Sequence, residues 1–186
     1  LCKNPSICPP LKKEIQYFNN RYRVKSKKGT QWYNAHFSHL SASCITGEST
    51  PDYFDHPTVA KQLREINENL KFILLLREPK SRMYSHYKHR VRRNLEKLSF
   101  KEALEKESQR IEGELDKLHA DSDYFSYNFH HFTYFHKSKY AEHLERWFQY
   151  FDKKQFLILK SEDFFKNPRS TIKRVESFLN LEHYNY

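Results

Sequence analysis

The chain has 186 residues, 38% apolar and 30% charged, and its 33 Lys and Arg against 23 Asp and Glu give a formal charge of +10. That length forms one domain with a core of its own, and the basic surplus reads either as a solvated surface or as one that draws polyanions such as nucleic acid, anionic lipid, sulfated glycans or nucleotide phosphates. Three cysteines (Cys2, Cys8, Cys44) and three glycines (Gly29, Gly47, Gly113) exclude a cysteine zinc site, a disulfide framework and a glycine-rich phosphate loop within these residues. Free thiols are expected, with a Cys2–Cys8 pair as the alternative in an oxidising compartment.

In chain order, residues 1–10, with Pro5, Pro9 and Pro10, read as a loop, 12–18 as a short strand or turn, and 21–31 as polar and irregular. Val59, Leu63, Ile66 and Leu70 share one helical face, predicting a helix over 57–69 with Pro57 in its first turn. Phe72 to Leu76 is a continuous apolar run, too short to cross a membrane and suited to a strand buried on both faces. Arg77-Glu78-Pro79 follows, and Pro79 fits the first turn of a helix over 79–93. Ser99 and Glu102 form a capping box that opens a helix over 100–118. Tyr140, Leu144, Trp147, Phe148 and Phe151 repeat at helical spacing over 139–151, and 155–159 reads as a second buried strand. Asn167-Pro168 then caps a last helix whose Ile172, Val175, Phe178 and Leu179 face inward. This order gives an α/β fold, a parallel β-sheet flanked by helices. In such sheets ligands bind beyond the carboxyl ends of the strands, which makes Arg77 a candidate anion ligand.

The stretch from Leu76 to Tyr87 carries the chemistry. A guanidinium at a strand end and the Ser85 hydroxyl two turns into the next helix could clamp one phosphate from two sides. On spacing alone, an ion pair of Arg77 with Glu78 or another carboxylate explains the arginine at least as well. The segment resembles the 3′-phosphate-binding motif of PAPS-dependent sulfotransferases, with Arg77, Pro79, Arg82 and Ser85 in that order. Further segments are similar to those of heparan-sulfate N- and 3-O-sulfotransferases and their bacterial relatives: Lys12 to Phe18, Trp32-Tyr33 to Phe37, Gly47 to Phe54, Tyr140 to Trp147 and Gln155 to Asp163 with Phe178 to Leu181.

The resemblance implies a P-loop-NTPase-like sulfotransferase fold that takes PAPS as sulfate donor and releases adenosine 3′,5′-bisphosphate, without a metal. It implies Glu14 as the base that takes the acceptor proton, ionised beside Lys12 and Lys13. Lys13, or Lys12 in its place, would face donor or acceptor, the alternative being solvated lysines. Glu48 and His36 are backups for base or acceptor contacts, with His36 otherwise a polar core residue. Arg77, Ser85, Arg82 and Tyr140 would hold the donor. The family's phosphate loop, with its catalytic lysine, and its basic C-terminal loop have no counterpart here. Residues 1–186 are therefore expected to be one sulfotransferase domain trimmed of both. Ser138-Lys139 stands where the family has Arg-Gly or Gly.

The expected activity is sulfonyl transfer to a hydroxyl or amine, of a carbohydrate or of a small alcohol; the alternative is an inactive relative that holds nucleotide or sulfated glycan. A nucleic-acid-binding domain is disfavoured, because the basic residues are spread and no such motif occurs. His130, His131 and His136 lack acidic or cysteine partners at ligand spacing, so they are read as aromatic packing. His89, Arg90, Arg92, Arg93 and Lys97 read as a solvated helix face or a contact for an anionic acceptor. Lacking the family's disulfide ahead of the Tyr140 helix, the protein is placed in the cytoplasm, or in the Golgi lumen if an anchor lies outside the chain.

Overall fold

The structure, a computed structural model, describes residues 2–19, 29–40, 44–121 and 123–186. They group into two compact units: one runs to Pro51 and adds Asn69–Leu76 and Asp152–Tyr186, and the second holds Asp52–Glu68 and Arg77–Phe151.

The first unit contains the sheet. Strands β1 (Phe72–Leu76) and β2 (Phe156–Lys160) pair in parallel, Phe72 opposite Phe156 and Leu76 opposite Lys160, as the two apolar runs predict. The expectation of strands buried on both faces is corrected: Ile73, Leu75 and Ile158 are each more than a third exposed. Among the described residues each strand has only the other as a ladder partner, and Ile73 and Leu75 lie on one face with Ile158 on the other. Helices α8 (Ser161–Lys166) and α9 (Pro168–Phe178) follow β2 and pack against it. Asn167 accepts from the Ser170 N–H and Pro168 takes the first helical position, so this start was legible; the separate turn of α8 was not. Glu176, fully buried on α9, accepts hydrogen bonds from Asn4 Nδ2, the Tyr184 N–H and the Tyr186 hydroxyl, tying both ends of the chain to the helix.

Helix α1 (Thr30–Ala35) replaces part of the irregular stretch expected over 21–31, of which 21–28 lie outside the described residues. The expected free thiols are also corrected. Ile7 and Ile45 form a parallel bridge, the Cys8 N–H donates to the Ile45 carbonyl, and Cys8 and Cys44 close a disulfide with Cα atoms 5.8 Å apart. Cys2 is free and exposed. A backbone bridge that sequence spacing does not reveal brings the pair within bonding range. The bond closes a 36-residue separation, and Cys8→Ser is expected to lower stability by about 2–4 kcal/mol. Denaturant midpoints with and without reductant check this, and the variant should no longer respond to reductant.

The second unit is helical: α2 (Val59–Ile66), α3 (Pro79–Arg92), α4 (Phe100–Ile111), α5 (Glu114–Ala120), α6 (Tyr127–Phe132) and α7 (Tyr140–Phe148). Helix α2 starts after Thr58, leaving Pro57 outside it, and ends where Asn67 turns extended. The Ser99–Glu102 capping box is present, but the expected helix over 100–118 divides at Gly113, whose φ of +68° suits a residue without Cβ. Val59, Ala60, Ala103, Leu118, Phe129, Tyr134, Trp147 and Phe151 are all buried here. The Trp147 indole N–H donates to the Phe54 carbonyl at 2.9 Å, so the ring is buried with its one donor satisfied.

Candidate functional site

The chain leaves β1 at Leu76 and enters α3 within two residues, because Glu78 caps the helix with bonds from the Lys80 and Ser81 N–H groups and Pro79 supplies the first-turn φ. Both oxygens of Glu78 are thereby engaged at the helix start, and its carboxyl lies below the usual carboxylate range. Arg77 is exposed, and its guanidinium meets no carboxylate among the described residues. The ion pair with Glu78 that spacing allows is not formed. The Arg77 backbone is fixed instead, since the Tyr140 hydroxyl donates to its carbonyl at 3.0 Å. Ser85 is exposed on α3, in the same unit. An anchored backbone with an uncommitted guanidinium leaves the charge available to an anion.

Arg82 is differently placed. Its Nε donates to Ser138 Oγ at 2.6 Å and its Nη2 to the Tyr134 carbonyl, so it spans from α3 to the segment ahead of α7. Ser138, flagged in the sequence only as a departure, receives this bond. Glu107 on α4 steadies the same segment by accepting the N–H groups of Tyr134, Phe135 and His136 at 2.7–2.9 Å. Of the basic cluster read near the end of α3, Arg92, Arg93 and Lys97 are exposed. Arg90 is buried and donates to His86 Nε2 at 2.9 Å, so it is not part of a solvated face.

A buried ionic network that sequence reading passed over also lies in this unit. Lys137 Nζ sits 2.6 Å from Asp52 and 3.8 Å from Asp55, and His130 Nδ1 is 3.4 Å from Asp52. Burial pushes Asp55 up to about 6, while Lys137 and His130 help hold Asp52 well below the usual range. Lys137 itself is raised by the two carboxylates, against the cost of burial. No periodic or motif signal points to a lysine on a short turn, Lys137, as the partner of two aspartates 82 and 85 residues earlier.

The remaining candidates lie in the first unit. Glu14 and Gln16 have φ of 55° and 56°. Asn94 and Asn180, also at positive φ, follow the ends of α3 and α9, where asparagine commonly stops a helix. No helix end accounts for Glu14 or Gln16, and left-handed backbone at a non-glycine residue costs about 1–2 kcal/mol. The turn is held from beneath: Ile15, Tyr17 and Phe18 are buried, the Gln16 N–H donates to Thr50 Oγ1 at 3.3 Å, and Tyr17 and Phe18 pack on Tyr33 of α1 with ring centres 5.2 and 5.0 Å apart. Glu14 is left part-exposed, with Lys13 Nζ at 3.9 Å. Both Glu48 oxygens are shielded from solvent, and Glu48 adds its charge to the burial that raises the Tyr33 hydroxyl. His36 ends α1 with its ring edge-on to Trp32. The structure thus joins the segments around Glu14, Trp32 and Thr50 within one unit.

The sequence profile of the sulfotransferase domain matches residues 13–184. The chain belongs to that family. Among curated sulfotransferases it is 27% identical to the membrane-associated sulfotransferase kil1 of Dictyostelium discoideum, over all of this chain and 53% of that protein. It is 30% identical to mouse heparan sulfate glucosamine 3-O-sulfotransferase 5, over 90% of this chain and 44% of the relative. It is 24% identical to the bifunctional heparan sulfate N-deacetylase/N-sulfotransferase 1 of Caenorhabditis elegans, over 93% of this chain and 18% of that one. The chain spans about half the length of these relatives or less. A crystal structure of a sulfotransferase from Alicyclobacillus acidocaldarius superposes with a TM-score of 0.77 at 22% identity, covering 97% of this chain and 73% of that one, which establishes the α/β sulfotransferase fold.

Proposed function

We propose that the protein transfers a sulfonyl group from PAPS to a hydroxyl or amine of a carbohydrate, and that residues 1–186 form one sulfotransferase domain. The observation that carries this reading is Arg77: exposed at the carboxyl end of β1, held by its backbone, and without a carboxylate partner among the described residues. With Ser85 it grips the donor's 3′-phosphate, and Arg82 and Tyr140 keep the Arg77–Ser85 segment in place. Glu14 takes the acceptor proton as the new bond to sulfur forms. The bond from sulfur to the donor phosphate breaks, and adenosine 3′,5′-bisphosphate leaves. Lys13 faces donor or acceptor, and Glu48 is the alternative to Glu14 for base or acceptor contacts. Carbohydrate is preferred as acceptor because two of the relatives are named for heparan sulfate. The Cys8–Cys44 bond favours an oxidising compartment such as the Golgi lumen over the cytoplasm.

Calorimetric titration with adenosine 3′,5′-bisphosphate tests the donor assignment. Arg77→Ala is expected to weaken binding about 10–100-fold with unchanged thermal stability, since a charge-assisted pair contributes roughly 1.5–3 kcal/mol. Equal affinity of variant and parent would remove Arg77 from the site.

A further inference from the structure

A groove of about 650 Å³ runs along α9, between the helix and Leu157 of β2. Its walls carry Arg169, Lys173 and Arg174, with the hydroxyls of Ser170 and Ser177 between them. None of the residues assigned to sulfonyl transfer lines it. All three cations are exposed, and no described carboxylate pairs with any of them. Arg169 and Lys173 are one turn apart, a like-charge spacing that weakens an isolated helix. The only acid on α9, Glu176, is buried, accepts from Asn4, Tyr184 and Tyr186, and forms no ion pair with the three cations. A helix face with uncompensated repulsion and clustered donors is relieved by an anion.

We propose that this groove is an accessory site for a linear sulfated glycan, holding a stretch of the chain apart from the point of transfer. The inference rests on the carbohydrate reading above. The lining discriminates among polyanions. Among the described residues Leu157 is its one apolar member, too little apolar surface to insert into a membrane. No aromatic ring of the described residues lines it, whereas the bases of a single-stranded nucleic acid stack on such rings. Two arginines and a lysine with interleaved hydroxyls instead suit sulfate oxygens, which accept forked hydrogen bonds at intervals along a sugar chain.

The test measures binding of the intact protein to a heparin oligosaccharide, using the triple variant Arg169→Ala, Lys173→Ala, Arg174→Ala. All three side chains are exposed and alanine favours helix, so the fold should persist. A charge-matched control replaces the exposed Lys61, Lys101 and Lys106 of the second unit by alanine. The groove variant is expected to bind heparin roughly tenfold more weakly or worse. It should keep its affinity for adenosine 3′,5′-bisphosphate, and the control should lose at most about twofold. Equal losses in the two variants would reduce the effect to net charge and overturn the proposal. A parent that binds heparin while the groove variant binds as well would sink the groove alone. A parent that ignores heparin while binding adenosine 3′,5′-bisphosphate would overturn the accessory site and leave the sulfonyl-transfer reading standing. An unsulfated dextran or a single-stranded oligonucleotide that bound as tightly as heparin, and lost that binding in the groove variant, would also overturn it.

Discussion

Glu14→Gln is expected to lower turnover by about 10²–10⁴-fold while leaving the affinity for adenosine 3′,5′-bisphosphate within about twofold. The amide keeps the size of the side chain but cannot accept a proton from the acceptor. Sulfonyl-transfer rates of the intact protein against a heparan-type acceptor read the effect, and a full-rate variant would end the assignment of Glu14 as base. The backbone supplies an independent check. At φ of 55° Glu14 occupies a conformation that glycine adopts without penalty. Glu14→Gly should therefore raise stability by up to about 1 kcal/mol while abolishing turnover. A residue kept for structure would not move stability and activity in opposite directions. Gln16 shares the positive φ, and its N–H donates to Thr50 Oγ1, which holds the turn that carries Glu14.

What the sequence disclosed follows from the range of the interactions concerned. Pro79, Ser99 with Glu102 and Asn167-Pro168 made the starts of α3, α4 and α9 readable, whereas the Glu78 cap was read instead as an ion-pair partner of Arg77. The parallel arrangement of β1 and β2 followed from two short apolar runs, 72–76 and 156–159. The break at Gly113 was missed because apolar periodicity continues through Leu118 and hides a change of direction. Helix α6 was hidden because Phe and Tyr crowd both of its faces. The disulfide, the Arg82–Ser138 bond and the Asp52–Lys137 pair join residues 36 to 85 apart, where no local pattern operates. For the site, resemblance supplied the candidates. Geometry then separated Arg77, which is uncommitted, from Arg82, which is bound within the protein. Exposure of the guanidinium decides that difference, and no spacing encodes it.

Acidification from pH 7 to pH 5 is expected to lower stability by several kcal/mol, with the second unit responsible. Four histidines there are held neutral: burial first, and neighbouring cations next, depress His56 to about 3, His86 to about 2, and His136 and His143 to about 4. Their hydrogen bonds require the neutral ring. His86 Nε2 accepts from Arg90, and His56 Nδ1 accepts from the Thr58 N–H. His143 donates Nε2–H to the His136 carbonyl at 2.9 Å, and its Nδ1 faces Arg146 Nη2 at 3.3 Å. A proton on any of these acceptors breaks the bond and sets a cation against an arginine or a buried wall. The folded pKa values lie below the unfolded value of about 6.5, so the stabilisation is complete above pH 6.5 and drains as pH falls towards 4. Each histidine contributes a slope of up to about 1.4 kcal/mol per pH unit in that window. Asp55, raised to about 6, and Glu107, also raised by burial, take up protons in the folded state and offset part of the loss. Four protons against two leave the unfolded chain the greater binder, so the sign is fixed. Urea midpoints at pH 7.5, 6 and 5 measure it, and His143→Asn should flatten the dependence. A midpoint that stays constant across that range would show that these rings titrate normally and that the core of the second unit is wetter than its geometry requires.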